Sequence, residues 1–206
     1  MTDRRPHKIV RLADAAPGIV QQVSYFGRDN FMGRPAAGYE AGHCWMTVEA
    51  AEALERVDRA LRQNGRALKV FDAYRPMRAV ADFLTWSREP DDPVSKATYY
   101  PHLEKADLFA LGYLAERSSH CRGSTADLTV IDLASGTELN FGTRFDFFDP
   151  RSHTASSDIG PLAQENRAML VDLMSAHGFE NYPMEWWHFT LRGEPYPDTY
   201  FDFPVR

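Results

Sequence analysis

The sequence predicts an α+β fold in which a central, mostly antiparallel sheet is flanked by helices. Helical and strand patterns both occur along the 206 residues, but they do not alternate regularly as they do in parallel α/β proteins. Residues 125–133 alternate in side-chain type. The turn-forming residues 134–137 then lead to a second short run at 138–141, so this part of the chain predicts an antiparallel hairpin.

The clearest helix is predicted at residues 47–64. Thr47 is a suitable N-cap, Gly65 follows the end, and an apolar stripe at helical spacing lies between them. The stripe consists of Leu54, Val57 and Leu61. Three more helices are predicted at residues 77–87, 103–117 and 161–177. Further strands are predicted at 68–71 and 186–191, and short strands and loops at 18–45. Loops are predicted at 88–101 and 142–160.

Composition excludes some classes of partner. The net charge is −6 and no Lys/Arg run is present, which argues against nucleic-acid binding. No apolar run approaches the roughly 18 residues of a membrane span, and no apolar segment follows the basic N-terminus as in a signal peptide. We therefore expect a cytoplasmic protein. Cys44 and Cys121 are too few for a disulfide framework in a chain of this length.

Two segments carry the residues of a catalytic metal site. Residues 118–127 contain His120 and Asp127, and the run Glu185-Trp186-Trp187-His188 contains a second histidine and a glutamate. Two histidines and an aspartate are ligands that zinc accepts, and the glutamate would be available as a general base. Gly123 lies between His120 and Asp127, so we expect His120 on a turn and Asp127 near the start of a strand.

Each of these residues also has an ordinary structural interpretation. A lone histidine in a strand is usually a hydrogen-bonded core residue, and an aspartate beside a glycine turn is usually a cap. Glu185 and His188 are three apart, and residues at that spacing point to opposite faces of a regular strand. If both serve one site, Glu185 must lie in the turn before the strand or at a bulge.

Arg75 ends a predicted strand in the run Asp72-Ala73-Tyr74-Arg75-Pro76. An arginine at a strand end is well placed to stabilise negative charge that develops on an oxygen during a reaction. The alternative is an ion pair with Asp72 or another acid, and the sequence leaves both interpretations open.

These segments resemble the zinc D-Ala-D-Ala dipeptidases, within the wider D,D-peptidase and hedgehog-like group of metallopeptidases. The resemblance is carried by Ser118-x-His120-x-x-Gly123-x-x-x-Asp127, by Glu185-Trp186-Trp187-His188 and by Tyr74-Arg75-Pro76. The run 29–35 and Gly38-Tyr39 favour the dipeptidase branch. The resemblance covers about residues 20–192. It implies a single domain over 1–206, in which 1–18 and 193–206 are peripheral extensions.

The resemblance also implies a role for each site residue. His120, Asp127 and His188 would bind one Zn²⁺ ion per chain, Glu185 would be the base and Arg75 would stabilise the transition state. The residues implied to bind a small dipeptide substrate are Ser118, Tyr39, Tyr25 and Asp146. Two positions depart from the family pattern: Thr125-Ala126 stands where an alanine is expected one position earlier, and Cys121 stands where a small polar residue is expected.

The sequence is also compatible with other functions. The chain could be a D,D-carboxypeptidase or endopeptidase that acts on longer muropeptides, or a hydrolase for another D-amino-acid dipeptide. It could also be a zinc-binding module without catalysis, although Glu185 and Arg75 argue against this. The sequence does not predict an oligomeric state.

Overall fold

A five-stranded sheet lies at the centre of the structure, a computed structural model that describes residues 5–206. Its strands are β2 (Val20–Gln21), β4 (Arg66–Asp72), β5 (Thr125–Asp132), β6 (Phe179–Asn181) and β7 (His188–Leu191). They lie side by side in the order β2-β4-β5-β7-β6. Only the β2–β4 pair is parallel and the other three pairs are antiparallel, so the predicted α+β fold with a mostly antiparallel sheet is confirmed.

Five helices and a small second sheet complete the described part of the chain. The helices are α1 (Leu12–Ala15), α2 (Val48–Arg62), α3 (Met77–Trp86), α4 (Pro93–Tyr99) and α5 (Pro161–Ala176). The second sheet pairs β1 (Ile9–Arg11) with β3 (Trp45–Thr47). Thr47 caps α2 as predicted, since its Oγ1 accepts a hydrogen bond from the Ala50 backbone N–H.

Several predicted elements differ from the structure. Residues 103–117 were predicted as a helix, which is wrong: they form turns and one short 3₁₀ segment, Lys105–Asp107. Gly112 lies within this segment and has a φ of 87°, a left-handed conformation that interrupts an α-helix. The apolar residues that suggested a helix are buried by loop packing instead; they are Leu108, Tyr113 and Leu114.

The prediction of a loop at 88–101 is also wrong in part, because it contains α4. The start signals of this helix are ordinary ones: Asp92 accepts a hydrogen bond from the Ser95 backbone N–H at 2.7 Å, and Pro93 occupies the first turn. The predicted hairpin partner at 138–141 forms only one bridge, between Ile131 and Glu138. Strand β7 begins at His188, so Trp186 and Trp187 precede it.

The C-terminal segment packs into the core. Phe201, Phe203 and Val205 are buried, and the Phe203 ring stacks on Tyr74 with 3.9 Å between centroids. The Tyr74 hydroxyl donates to the Phe203 carbonyl at 2.9 Å, and the Phe201 N–H donates to the Cys121 carbonyl at 2.9 Å. The last residues thus contact the segments that carry Arg75 and His120. Of the predicted N-terminal extension, residues 1–4 lie outside the described residues.

We expect Phe203→Ala to lower the free energy of unfolding by about 3–5 kcal/mol, because it removes a fully buried ring and leaves a cavity against Tyr74. Urea unfolding of the purified variant measures this change. Phe26→Ala is the matched control: that ring is 45% exposed, so its loss should change the stability by no more than about 0.5 kcal/mol. Equal effects of the two substitutions would contradict a structural role for the C-terminal segment.

Within residues 5–206, no helix is both long enough and apolar enough to span a bilayer.

Candidate metal centre and active-site cavity

The sheet register brings two of the predicted ligands side by side. Asp127 on β5 lies directly opposite His188 on β7, and opposite residues of an antiparallel pair project from the same face. His120 lies on the 3₁₀ turn Ser119–Arg122, immediately before β5. Gly123 ends this turn with a φ of 83°, a conformation that glycine adopts without strain. The turn folds His120 back over the start of β5.

The three side chains converge on one point. The distances are 3.2 Å from His120 Nε2 to Asp127 Oδ2, 3.1 Å from His188 Nδ1 to Asp127 Oδ1, and 3.3 Å between the two ring nitrogens. Ligands about 2.0–2.1 Å from a tetrahedral zinc ion are separated from one another by about 3.3 Å. The spacing of the donor atoms therefore fits such an ion.

Hydrogen bonds on the far sides of both rings orient the histidines. His120 Nδ1 lies 2.7 Å from the Ala73 carbonyl, which can only accept, so Nδ1 carries the proton and the Nε2 lone pair faces the centre. His188 is held from the opposite nitrogen, because its Nε2 is 3.2 Å from Ser119 Oγ. Support of this kind is typical of metal-binding histidines.

The local charges also indicate a cation site. Four buried carboxylates lie near the buried guanidinium of Arg75; they are Asp72, Asp127, Asp146 and Glu185. Asp127 Oδ1 is buried and accepts no hydrogen bond from the described residues. Ionising several buried carboxylates around one guanidinium is costly unless a further cation balances them. His120, Asp127 and His188 therefore form a possible metal site.

Glu185 lies in the turn between β6 and β7, not in the strand. Its backbone N–H donates to the Tyr182 carbonyl, and its own carbonyl accepts from Asn181 Nδ2. The turn lets the side chain reach the same site as His188, with 3.6 Å between Glu185 Oε2 and His188 Nδ1. Burial raises the pKa of Glu185 well above its ordinary value, and the negative charges of Asp127 and Asp146 add to the effect.

Arg75 forms the predicted ion pair with Asp72 and a second contact with Asp127. Its Nε donates to Asp72 Oδ2 at 2.9 Å, which is the predicted ion pair, and its Nη2 donates to Asp127 Oδ2 at 3.3 Å. The guanidinium lies 4.9 Å from the ring centroid of Tyr25 and 5.1 Å from that of Phe83. Arg75 is thus a fixed positive charge beside the three converging side chains.

The predicted substrate residues divide into two groups. Tyr25, Ser118 and Asp146 line a cavity of about 800 Å³ that also contains the possible metal site. The Tyr25 hydroxyl donates to Asp146 Oδ2 at 2.9 Å, and burial raises the pKa of Asp146 well above its ordinary value. Tyr39 does not line this cavity in the described structure. It lies behind Arg75, where its hydroxyl donates to Asp72.

The sequence motifs did not indicate the contacts of two further residues beside the site. Ser119 orients His188, and its position next to His120 was the available signal. Asp72 was considered only as a partner of Arg75, yet it also contacts Tyr39 and lies close to His120.

Comparison with known proteins identifies the class of enzyme. The model of the Peptidase M15 family, described as D-Ala-D-Ala dipeptidase, matches residues 5–206. The chain therefore belongs to the D-Ala-D-Ala dipeptidase family of peptidases, which confirms the resemblance seen in its motifs.

Individual relatives agree with this assignment. The chain is 42% identical to the D-alanyl-D-alanine dipeptidase of Enterococcus faecium, over 95% of this chain and 96% of the relative. It is 43% identical to the enzyme of the same name from Streptomyces coelicolor, over 91% and 93% of the two chains. The corresponding protein of Escherichia coli is 31% identical over 89% and 84%. The similarity thus covers 84% or more of each protein.

Proposed function

We propose that the protein is a zinc-dependent dipeptidase that hydrolyses D-Ala-D-Ala to two D-alanine molecules. The observation that carries this proposal is the convergence of His120, Asp127 and His188 at donor spacings that suit one tetrahedral ion, with Glu185 and Arg75 beside them. The near full-length similarity to D-alanyl-D-alanine dipeptidases supports the choice of substrate.

His120 Nε2, His188 Nδ1 and the Asp127 carboxylate would hold the zinc ion. When bound, zinc supplies positive charge that polarises the scissile carbonyl and lowers the pKa of a water molecule. Imidazole and carboxylate donors both suit zinc. The Ala73 carbonyl and Ser119 hydroxyl keep the lone pairs of the two histidines directed at the site.

Glu185 is assigned as the general base. Its carboxylate lies at the edge of the ligand set and is buried. It would accept a proton from the attacking water and return it to the nitrogen of the leaving D-alanine. Its raised pKa suits this exchange, because a base whose pKa lies nearer neutrality can both accept and release a proton.

Arg75 is assigned to the oxygen of the scissile carbonyl. That oxygen becomes negative as water adds to the carbon, and a fixed guanidinium stabilises the new charge without having to reorganise. The contacts with Asp72, Tyr25 and Phe83 keep Arg75 in place before substrate arrives.

The charged ends of the dipeptide require complementary groups. Asp146, paired with the Tyr25 hydroxyl, would bind the ammonium group at one end of the cavity. The Ser118 hydroxyl would donate to the substrate and also accepts from the His120 N–H at 3.3 Å, so it links the substrate to a ligand-bearing turn.

A substrate panel with the zinc-loaded protein tests the proposal. Free D-Ala-D-Ala should be hydrolysed with a kcat/KM well above that for a pentapeptide ending in D-Ala-D-Ala, because the charge of Asp146 favours a free ammonium group. Chelation should abolish the activity, and added zinc should restore it. Preference for the pentapeptide would indicate a carboxypeptidase, and no turnover of any D,D-peptide by metal-loaded protein would indicate a binding module.

A further inference from the structure

Asp72 carries a buried carboxylate that takes no part in the chemical steps of the proposed reaction. It is 1% exposed and accepts two hydrogen bonds, one of which comes from the cavity residue Arg75. Its Oδ2 accepts from Arg75 Nε at 2.9 Å, and its Oδ1 accepts from the Tyr39 hydroxyl at 2.6 Å. The same Oδ2 lies 3.6 Å from His120 Nδ1. Burying a carboxylate raises the free energy of the folded state, so we expect Asp72 to have a function at this position.

A β-bulge directs Asp72 into the site. Val70 pairs with Leu128, so a regular antiparallel register would place Phe71 opposite Asp127. The register shifts by one residue after Val70, and Asp72 takes that position instead. Such a shift changes the face to which the following side chains point, and bulges often re-aim a side chain beside an active site. Phe71 packs by stacking on Phe145.

The hydrogen bond to Asp72 determines which nitrogen atoms of the Arg75 guanidinium can contact the substrate. Asp72 binds Nε, and the two aromatic rings confine the guanidinium, so its Nη groups point toward Asp127 and the cavity. Without Asp72, the nearest remaining carboxylate for this cation is Asp127, whose Oδ2 is already 3.3 Å from Nη2. A closer pair would occupy an oxygen of the metal site and withdraw the guanidinium from the substrate.

We propose that Asp72 is a positioning residue, which holds Arg75 in the orientation that stabilises the transition state and is itself held by Tyr39. This proposal rests on the role assigned to Arg75 in the proposed function. It assigns Tyr39 to the support of Asp72 instead of to direct contact with substrate, in keeping with its place outside the cavity lining.

A double-mutant cycle tests whether Asp72 acts through Arg75. In zinc-loaded protein, Asp72→Ala should lower kcat for D-Ala-D-Ala by about 10- to 100-fold and change KM by less than about threefold. In the Arg75→Ala background, the same change should lower kcat by less than about twofold more. Losses that multiply in the double variant, or a wild-type kcat in Asp72→Ala, would overturn the proposal.

Conservative and distant variants complete the kinetic test. Asp72→Asn keeps an acceptor for Arg75 Nε and should recover part of the loss. Asp82→Ala is the matched control, because Asp82 forms two 2.8 Å hydrogen bonds with Arg34 away from the cavity. It should keep wild-type kcat. Zinc content should be unchanged in Asp72→Ala, and a loss of zinc would assign Asp72 to the metal site and overturn the positioning role.

A spectroscopic readout is independent of turnover. The buried Nε–H of Arg75 should give a ¹H–¹⁵N resonance that is protected from exchange and absent in Arg75→Lys, which lacks this group. The resonance should shift and lose protection in Asp72→Asn and Asp72→Ala. An unchanged resonance would overturn the proposal even if the wild-type enzyme is active. If the wild type fails to hydrolyse the dipeptide, the proposed function fails, while this resonance still decides whether Asp72 holds Arg75.

Discussion

Replacing Glu185 with glutamine is expected to lower kcat for D-Ala-D-Ala by about 10³-fold while the protein keeps its zinc. Glutamine has nearly the same shape as glutamate, but it cannot accept the proton of the attacking water. Glu185 is outside the set of three converging donors, so its substitution leaves the ion in place. Turnover and metal content of the same preparation provide the measurement.

The stability of the metal-free protein gives a second measurement on this variant. Burial and the nearby carboxylates raise the pKa of Glu185, so the ionised side chain destabilises the fold at pH values above the unfolded pKa. Glutamine resembles the protonated form, and the melting temperature of Glu185→Gln should therefore be equal to or higher than that of wild type. The control is Glu165→Gln on the exposed surface of α5, which should leave both kcat and stability unchanged. Wild-type kcat in Glu185→Gln would exclude Glu185 as the base.

Replacing His188 with alanine is expected to remove zinc binding altogether. The substitution deletes one of three donors and leaves Asp127 and His120 without their third partner. Zinc content after dialysis against a competing chelator should fall close to zero, and activity should fall with it. His177→Ala at the end of α5 is the matched control, because it removes an imidazole outside the cavity.

Thermodynamic linkage provides an independent check of the same ligand. A ligand that binds only the folded state stabilises it by about 2.7 kcal/mol at a free concentration 100 times its Kd. Zinc should therefore raise the melting temperature of wild type and of His177→Ala, but not that of His188→Ala. A stoichiometric zinc ion in purified His188→Ala would require a different ligand set.

The positions of His120, Asp127 and Glu185 could be predicted from the sequence because each depends on residues close by in the chain. His120 and Asp127 are joined by one turn and one strand start, and Gly123 marked where the chain had to turn. The position of Glu185 also followed from a simple constraint, since a regular strand could not direct both it and His188 to one site. The structure places Glu185 in the turn that this constraint required.

Features that depend on contacts between residues far apart in the chain could not be predicted from the sequence. The apolar residues at 103–117 have helical spacing, but tertiary contacts bury them within turns around Gly112. The role of Asp72 depends on a one-residue shift between β4 and β5, which no local pattern in β4 records. The stacking of Phe203 on Tyr74 joins residues far apart in the chain, and a short Pro- and Tyr-rich segment gives no sign of it.

The contacts of the C-terminal segment determine when the enzyme can become active during translation. Arg75 and His120 leave the ribosome before His188 and before Phe201 and Phe203, which contact Cys121 and Tyr74. Because domains assemble as the chain emerges, the growing polypeptide can form much of the sheet but lacks a ligand and the C-terminal packing. We therefore expect nascent chains stalled before residue 188 to be inactive, so that hydrolysis begins only after His188 and the segment that packs on Tyr74 have emerged.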